Sequence, residues 1–235
     1  MLFAYTFGIL VRTKIINIIL TILNNFIFAN MNLILDIISP IPEFSIFEDN
    51  KIILSKKIIN SPEEKLSDKI IPSFEKIDES LNLTEKLKSL IVTSGPGSYT
   101  ALRVGISFML GLHFSKNIKI ASISIADLLK FEINNDLNYG FYVVSSNNQE
   151  FICIKMLKKD YFYIKLEDNN KEQFKEIQDI DILYFNHRVW ASNNNNFKQI
   201  NYLIKQNIVK NLNKIDFNDV ATIKALYVSN NKSLN

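Results

Sequence analysis

The sequence predicts an α/β protein in which a triple of antiparallel strands is followed by crossover units, an order that then partly recurs. Three observations predict it. Short apolar runs bounded by turn residues stand at Leu33–Ile37, Glu43–Phe47, Lys51–Ile59, Leu90–Thr93 and Ile118–Ile123. Segments of helical length and spacing separate the later runs. Further runs at Phe141–Ser145, Phe151–Leu157 and Tyr161–Leu166 repeat the opening triple.

Each element has a local reason. Leu33–Ile37 reads as a strand that ends in Asp36-Ile37-Ile38-Ser39. Asp49-Asn50, between the next two strands, is a two-residue hairpin signal. Ser61-Pro62-Glu63-Glu64 reads as a capping box, with Ser at the N-cap, Pro at the first helical position and Glu at the third. The helix behind it carries Leu66, Ile70, Phe74, Ile77 and Leu81 at helical spacing, and Pro72 inside it should kink it or reset its first half. Leu90-Ile91-Val92-Thr93 has the all-apolar look of a parallel strand covered on both faces. Ser94–Thr100 is a loop, Ala101–Phe114 a helix, Ile118–Ile123 a buried strand, and Ser124 caps a helix through Glu132.

Right-handed crossovers bring the later strands alongside the first as parallel neighbours. That is the ribonuclease-H-like topology. Its partial repetition continues in a helix at Lys171–Gln178, a strand at Ile182–Phe185 and two terminal helices. Two such domains in tandem are therefore expected, as in the actin, sugar-kinase and Hsp70 superfamily, with the second degenerate. The first should span residues 31–135 and the second, with the terminal helices, 136–235.

Composition narrows the chemistry. The 235 residues are 47% hydrophobic and 22% charged, which is globular. The single cysteine, Cys153, excludes an internal disulfide framework; in an apolar strand it reads as buried and inert. His113 and His187 are the only histidines and form no metal-ligand spacing and no Ser/His/Asp set. The net charge is +3, weak for a protein that binds nucleic acid alone. Ile, Asn and Lys dominate in the manner of an A/T-rich genome, so Asn193–Asn196 reads as loop filler. Against that background the three arginines, Arg12, Arg103 and Arg188, suggest planar, multi-donor tasks that lysine does badly.

Residues 1–30 are apolar but interrupted by Asn17, Asn24 and Asn25, and a membrane span needs about 20 predominantly apolar residues. Arg12 and Lys14 stand mid-segment, unlike a signal peptide, and no clear small-x-small cleavage site follows. The segment reads as a mis-called upstream start or dispensable extension ahead of Met31, with a membrane anchor and a signal peptide as the alternatives. No membrane association is expected of the rest.

Chemistry concentrates at one place. Gly95, Gly97, Gly105 and Gly111 are four of the six glycines, and Ser94-Gly95-Pro96-Gly97-Ser98-Tyr99-Thr100 joins a strand to a helix. Such a turn is either an anion-binding cradle or a tight connection without ligand. Ser98 or Thr100 can cap the helix. Asp36 stands where an acidic residue would hold Mg²⁺, but Ile37 and Ile38 follow it where hydroxyls would be wanted. The helix is apolar almost all round, so something must cover its outer face: this chain's own second half or another protein.

Ser94-Gly-Pro-Gly-Ser-Tyr-Thr-Ala-Leu-Arg-Val-Gly-Ile106 resembles the GPGSFTGLRIG signature of the TsaB (YeaZ) family, matching at Gly95, Pro96, Gly97, Ser98, Thr100, Leu102, Arg103 and Gly105. Met31–Asp36, the hairpin behind it, the helix containing Pro72 and the Ile123-Ser124 junction are also similar. Departures are Tyr99, Ala101 and Ile37 for Phe, Gly and Thr, an absent histidine at the start of the first long helix, and Val144–Asn147 in place of Asp-Ala-Arg. The resemblance implies a cytoplasmic, non-catalytic subunit of the machinery that makes threonylcarbamoyladenosine beside the anticodon of tRNAs reading codons that begin with A. Its implied partner is TsaD, the catalytic paralogue, bound through the two helices after the hairpin and the GPGS loop; a homodimer is the alternative arrangement when the chain is alone. TsaE, an ATPase, and TsaC, source of threonylcarbamoyl-adenylate, complete the system. ATP and Mg²⁺ serve the complex, and no cofactor is expected in this subunit. Spacing selects Leu66, Ile70, Leu102, Ile106 and Met109 for helix-on-helix contact, with Arg103 anchoring the loop or reaching the interface. The rival expectation is an active ATP-dependent kinase or ATPase using Asp36 and the Gly95–Thr100 loop.

Overall fold

The computed structural model describes residues 31–39, 41–61, 63–132, 140–144, 151–157, 160–166, 182–185, 204–217 and 223–227. The expectations for residues 1–30, Pro62, Lys171–Gln178 and Asn193–Asn196 lie outside them.

The first sheet holds β1 (Met31–Asp36), β2 (Glu43–Glu48), β3 (Lys51–Lys57), β4 (Leu87–Gly95) and β5 (Lys119–Ser124) in the order β3-β2-β1-β4-β5. β1–β2 and β2–β3 are antiparallel; β1–β4 and β4–β5 are parallel. This is the ribonuclease-H-like order. A second sheet contains β6 (Gly140–Val144), β7 (Phe151–Leu157), β8 (Asp160–Leu166) and β9 (Ile182–Phe185) in the order β8-β7-β6-β9. Its hairpins are antiparallel and β6–β9 parallel, so it repeats the order of the first four strands of the first sheet.

Local signals account for several elements. Asp49 and Asn50 both take positive φ (46° and 60°), the conformation that a two-residue turn needs to match the strand twist. Asn82, at φ 50°, ends helix α1 (Leu66–Leu81), and its N–H donates to the Asp78 carbonyl at 2.7 Å. A short helix, α2 (Leu83–Lys86), follows. Helix α3 runs from Tyr99 to Lys116 and α4 from Ile125 to Glu132. Ser124 and Asp127 form a capping box: the Asp127 N–H donates to Ser124 Oγ at 3.1 Å, and the Ser124 N–H donates to the Asp127 carboxylate at 2.9 Å.

Two expectations for α1 are corrected. The helix starts at Leu66, with extended Lys65 as its N-cap, and ahead of it the Glu64 N–H donates to the Ser61 carbonyl at 3.2 Å. Glu64 accepts from the Asn60 N–H at 2.6 Å and pairs with Lys69 at 3.1 Å, so its carboxylate is engaged outside a capping box. Pro72 lies inside the helix without interrupting it, so the first half is not reset there. Pro72 and Asp68 are exposed, so water can bond the Asp68 carbonyl that lacks a proline N–H.

β1 and β4 are central: Leu33, Ile34, Leu35, Leu90, Ile91 and Val92 are fully buried. Burial of successive residues means both faces of the sheet are covered. α1 and α3 pack together as one layer, joined by Phe44, Phe74 and Phe108, whose ring centroids lie 5.3 to 6.0 Å apart. α4 packs with α5 (Ile204–Lys210), and α5 meets β1 and β3 with Ile204 and Ile208 buried; Lys205 donates to Ser55 on β3 at 3.0 Å and forms a 2.6 Å ion pair with Glu43 on β2. A helix that follows the second sheet in sequence thus completes the first sheet's core. Among the described residues, no helix is long and apolar enough to cross a membrane.

Candidate functional site

The Gly-Pro-Gly loop lies at the C-terminal ends of β1 and β4, where the parallel strands of such a sheet open toward a crevice. Asp36 closes β1 and is buried. Its Oδ1 accepts from the Ile38 N–H (3.1 Å), the Ser39 N–H (3.2 Å) and the Thr93 hydroxyl (3.3 Å), and its Oδ2 from the Ser39 hydroxyl (2.5 Å). Thr93 also accepts the Ile37 N–H at 2.9 Å, so this threonine ties the end of β1 to β4. Burial pushes the Asp36 carboxyl above the usual carboxylate range, against the downward pull of the Ser39 and Ile38 hydrogen bonds. Every oxygen of Asp36 is therefore engaged inside the chain. Among the described residues, no three His, Cys, Asp or Glu side chains are grouped to hold a metal ion.

The loop itself is shaped by two close approaches. Gly95 has φ +124°, and a Cβ there would stand 2.7 Å from the Leu226 carbonyl oxygen. The Leu226 N–H donates to the Ser94 carbonyl at 2.7 Å, so Ile223–Tyr227 runs against the loop. Further on, a Cβ on Gly105 would stand 2.7 Å from Ile37 Cγ2, which is why α3 can lie so near the end of β1. Gly111, by contrast, has nothing within 4 Å of its missing Cβ and faces the open side of α3.

The sequence-selected loop residues come together. Gly95 and Pro96 are buried, Gly97 and Ser98 half-buried, and Thr100 exposed. Ser98 takes the N-cap position of α3 without a side-chain bond; its carbonyl accepts the Leu102 N–H at 2.9 Å. Arg103 is exposed, with its guanidinium 4.9 Å from the Tyr99 ring centre.

The residues chosen for partner contact do not lie on a surface. Leu66, Ile70, Leu102, Ile106 and Met109 are all core residues, none more than 8% exposed. Their spacing correctly picks one face of each helix, and that face turns inward. Outward, α3 presents Thr100, Arg103, Ser107, Gly111 and Phe114 to solvent, and α1 presents Ile71. Sequence reasoning missed Tyr227 and Leu226. No local pattern near the loop announces a segment arriving from the far end of the chain.

The topology and the Asp36–loop site define an α/β protein of the ribonuclease-H-like, actin-superfamily class. Within that class, the sequence model of TsaD, tRNA N6-adenosine threonylcarbamoyltransferase, matches residues 53–229, and the chain belongs to this family. The TsaB (YeaZ) resemblance drawn from the GPGS block agrees with that membership. Comparison with curated proteins finds no match. Among solved structures, YeaZ from Pseudomonas aeruginosa is 14% identical, with a TM-score of 0.42, over 58% of this chain and 66% of that one. A Pseudomonas aeruginosa protein described as similar to peptidase YEAZ is 12% identical, with a TM-score of 0.47, over 66% and 74%. An exopolyphosphatase from Cytophaga hutchinsonii is 9% identical, with a TM-score of 0.36, over 66% of each chain. The chain thus spans just under two thirds of the first of these, and at such identities the likeness concerns the fold.

Proposed function

We propose that this chain is the non-catalytic subunit, of the TsaB type, that binds and stabilises TsaD for threonylcarbamoyl transfer to the adenosine next to the anticodon. The observation that carries the reading is the uncovered outer face of α3. Ser107 and Gly111 are exposed, Val104 and Leu110 half-buried, and Phe114 is 70% exposed, while Ile71 on α1 is 54% exposed. Apolar side chains beside small residues suit a closely approaching helix from a partner. Asp36 supports the same reading, because both its carboxyl oxygens already accept from within the chain, from Ile38, Ser39 and Thr93. ATP and Mg²⁺ then serve TsaE and the assembled complex, with TsaC supplying threonylcarbamoyl-adenylate. The setting is cytoplasmic, where tRNA is modified.

The test is co-purification of the chain from Met31 onward with TsaD of the same organism. Gly111→Arg points into open space and should leave the monomer folded while abolishing the complex. An undisturbed complex would remove α3 from the interface. No complex at all, together with Mg²⁺-dependent ATP turnover lost in Asp36→Asn, would replace the scaffold with an ATPase.

A further inference from the structure

At the start of α3, side chains from two distant segments meet on the surface. The rings of Tyr99 and Tyr227 lie 4.7 Å apart, inclined by 36°, and Arg103 lies over the Tyr99 ring. Both rings remain accessible, at 57% and 44% exposure. The arrangement is held in place: the Leu226 hydrogen bond to Ser94 fixes the backbone beside Tyr227, and Tyr99 begins a long helix. A preorganised aromatic pair loses little freedom when a ligand stacks on it.

The two segments that build the pair carry basic residues and no acidic ones. Among the described residues, no carboxylate forms an ion pair with Arg103. Neither Ser94–His113 nor Ile223–Tyr227 contains Asp or Glu, and the second segment adds exposed Lys224. Arg103 is one of three arginines among 27 basic residues, and its guanidinium carbon lies 4.9 Å from the Tyr99 ring centre. Two part-exposed rings beside a guanidinium that has no ion-pair partner among the described residues suit an unpaired nucleotide, with its base against a ring and its phosphate on the cation.

We propose that Tyr99, Arg103 and Tyr227 form a docking platform for an unstacked nucleotide of single-stranded RNA. The choice of RNA rests on reading the chain as a tRNA-modification subunit. The net charge of +3 limits the electrostatic part, so stacking sets a preference for single strands over duplex.

Fluorescence anisotropy of the full chain at low salt, with a short labelled adenosine oligonucleotide and a blunt RNA duplex, tests this. The wild type should bind the single strand more tightly. Tyr99→Ala and Tyr227→Ala should each weaken it about tenfold, the loss expected of one stacked base. Arg103→Gln should lower the slope of log affinity against log salt by about 1. Circular dichroism checks that each variant is folded. Absence of saturable binding, or variants indistinguishable from wild type, overturns the platform. Unchanged RNA binding with TsaD co-purification lost in Tyr99→Ala would assign the surface to a protein instead. A wild-type chain that fails to hold TsaD overturns the scaffold reading and leaves the anisotropy result standing.

Discussion

The Leu226 N–H, from the last described segment, and the Ser94 carbonyl, near the end of β4, meet at 2.7 Å across the mouth of the Gly-Pro-Gly loop. The Leu226 carbonyl oxygen fills the space a Gly95 side chain would need. The glycine that reads as a phosphate-loop residue is thus required here by the chain's own tail. An anion cradle and a backbone docking groove make the same demand on sequence, namely a residue without Cβ at positive φ.

Gly95→Ala should therefore destabilise the fold by about 1–3 kcal/mol, the cost of holding a non-glycine residue in a sparsely populated backbone region. Urea unfolding measures it. Removing residues 223–235 should relieve the part due to the 2.7 Å contact but not the part due to φ +124°. A neutral Gly95→Ala would show that this position has neither the tail contact nor the positive φ.

Gly105 and Gly111 lie on the same helix and should respond with opposite signs. Gly111→Ala adds a methyl group where nothing stands within 4 Å and should stabilise by about 0.5–1 kcal/mol through helix propensity. Gly105→Ala drives a methyl into Ile37 and should destabilise by about 1–3 kcal/mol, as overpacking does. Thermal melts of the two variants decide it, and Ile37→Ala added to Gly105→Ala should recover part of the loss.

Ile106→Glu should unfold the first domain, because Ile106 is a core residue. An uncompensated buried charge costs about 3 kcal/mol or more. Far-ultraviolet circular dichroism of the purified variant would show the loss of structure. A folded variant would mean that α3 can turn this face outward.

What was legible follows from the range of each cause. Asp49-Asn50 and Ser124 with Asp127 act within a few residues, so turn and cap could be read directly. The strand order was legible because apolar runs and crossover handedness leave few topologies. The inner face of α3 was not. Apolar residues surround that helix, so Leu102, Ile106 and Met109 share a face by spacing while spacing does not say which way it points. Gly105 carried the missing information, since a residue without Cβ marks where the helix comes nearest to Ile37. The tail on the loop had no local signal, because its partners Ser94 and Leu226 are brought together only by the completed fold.

Asp36 gives a pH-dependent test. Its folded pKa is raised by burial, so the folded state holds the proton more tightly than the unfolded chain does. Its favourable contribution is then complete below the unfolded pKa and is lost as pH rises through the folded one. Asp36→Asn removes the titration yet keeps an oxygen to accept from Ile38 and Ser39 and offers an N–H to the Ser39 hydroxyl. The melting temperature of the variant, taken relative to wild type, should therefore climb as pH rises above the ordinary aspartate value of 3.8 and level off above the folded pKa. A wild type that instead gains on the variant over that range would mean the ionised carboxylate is favoured, as in a site built to hold a cation.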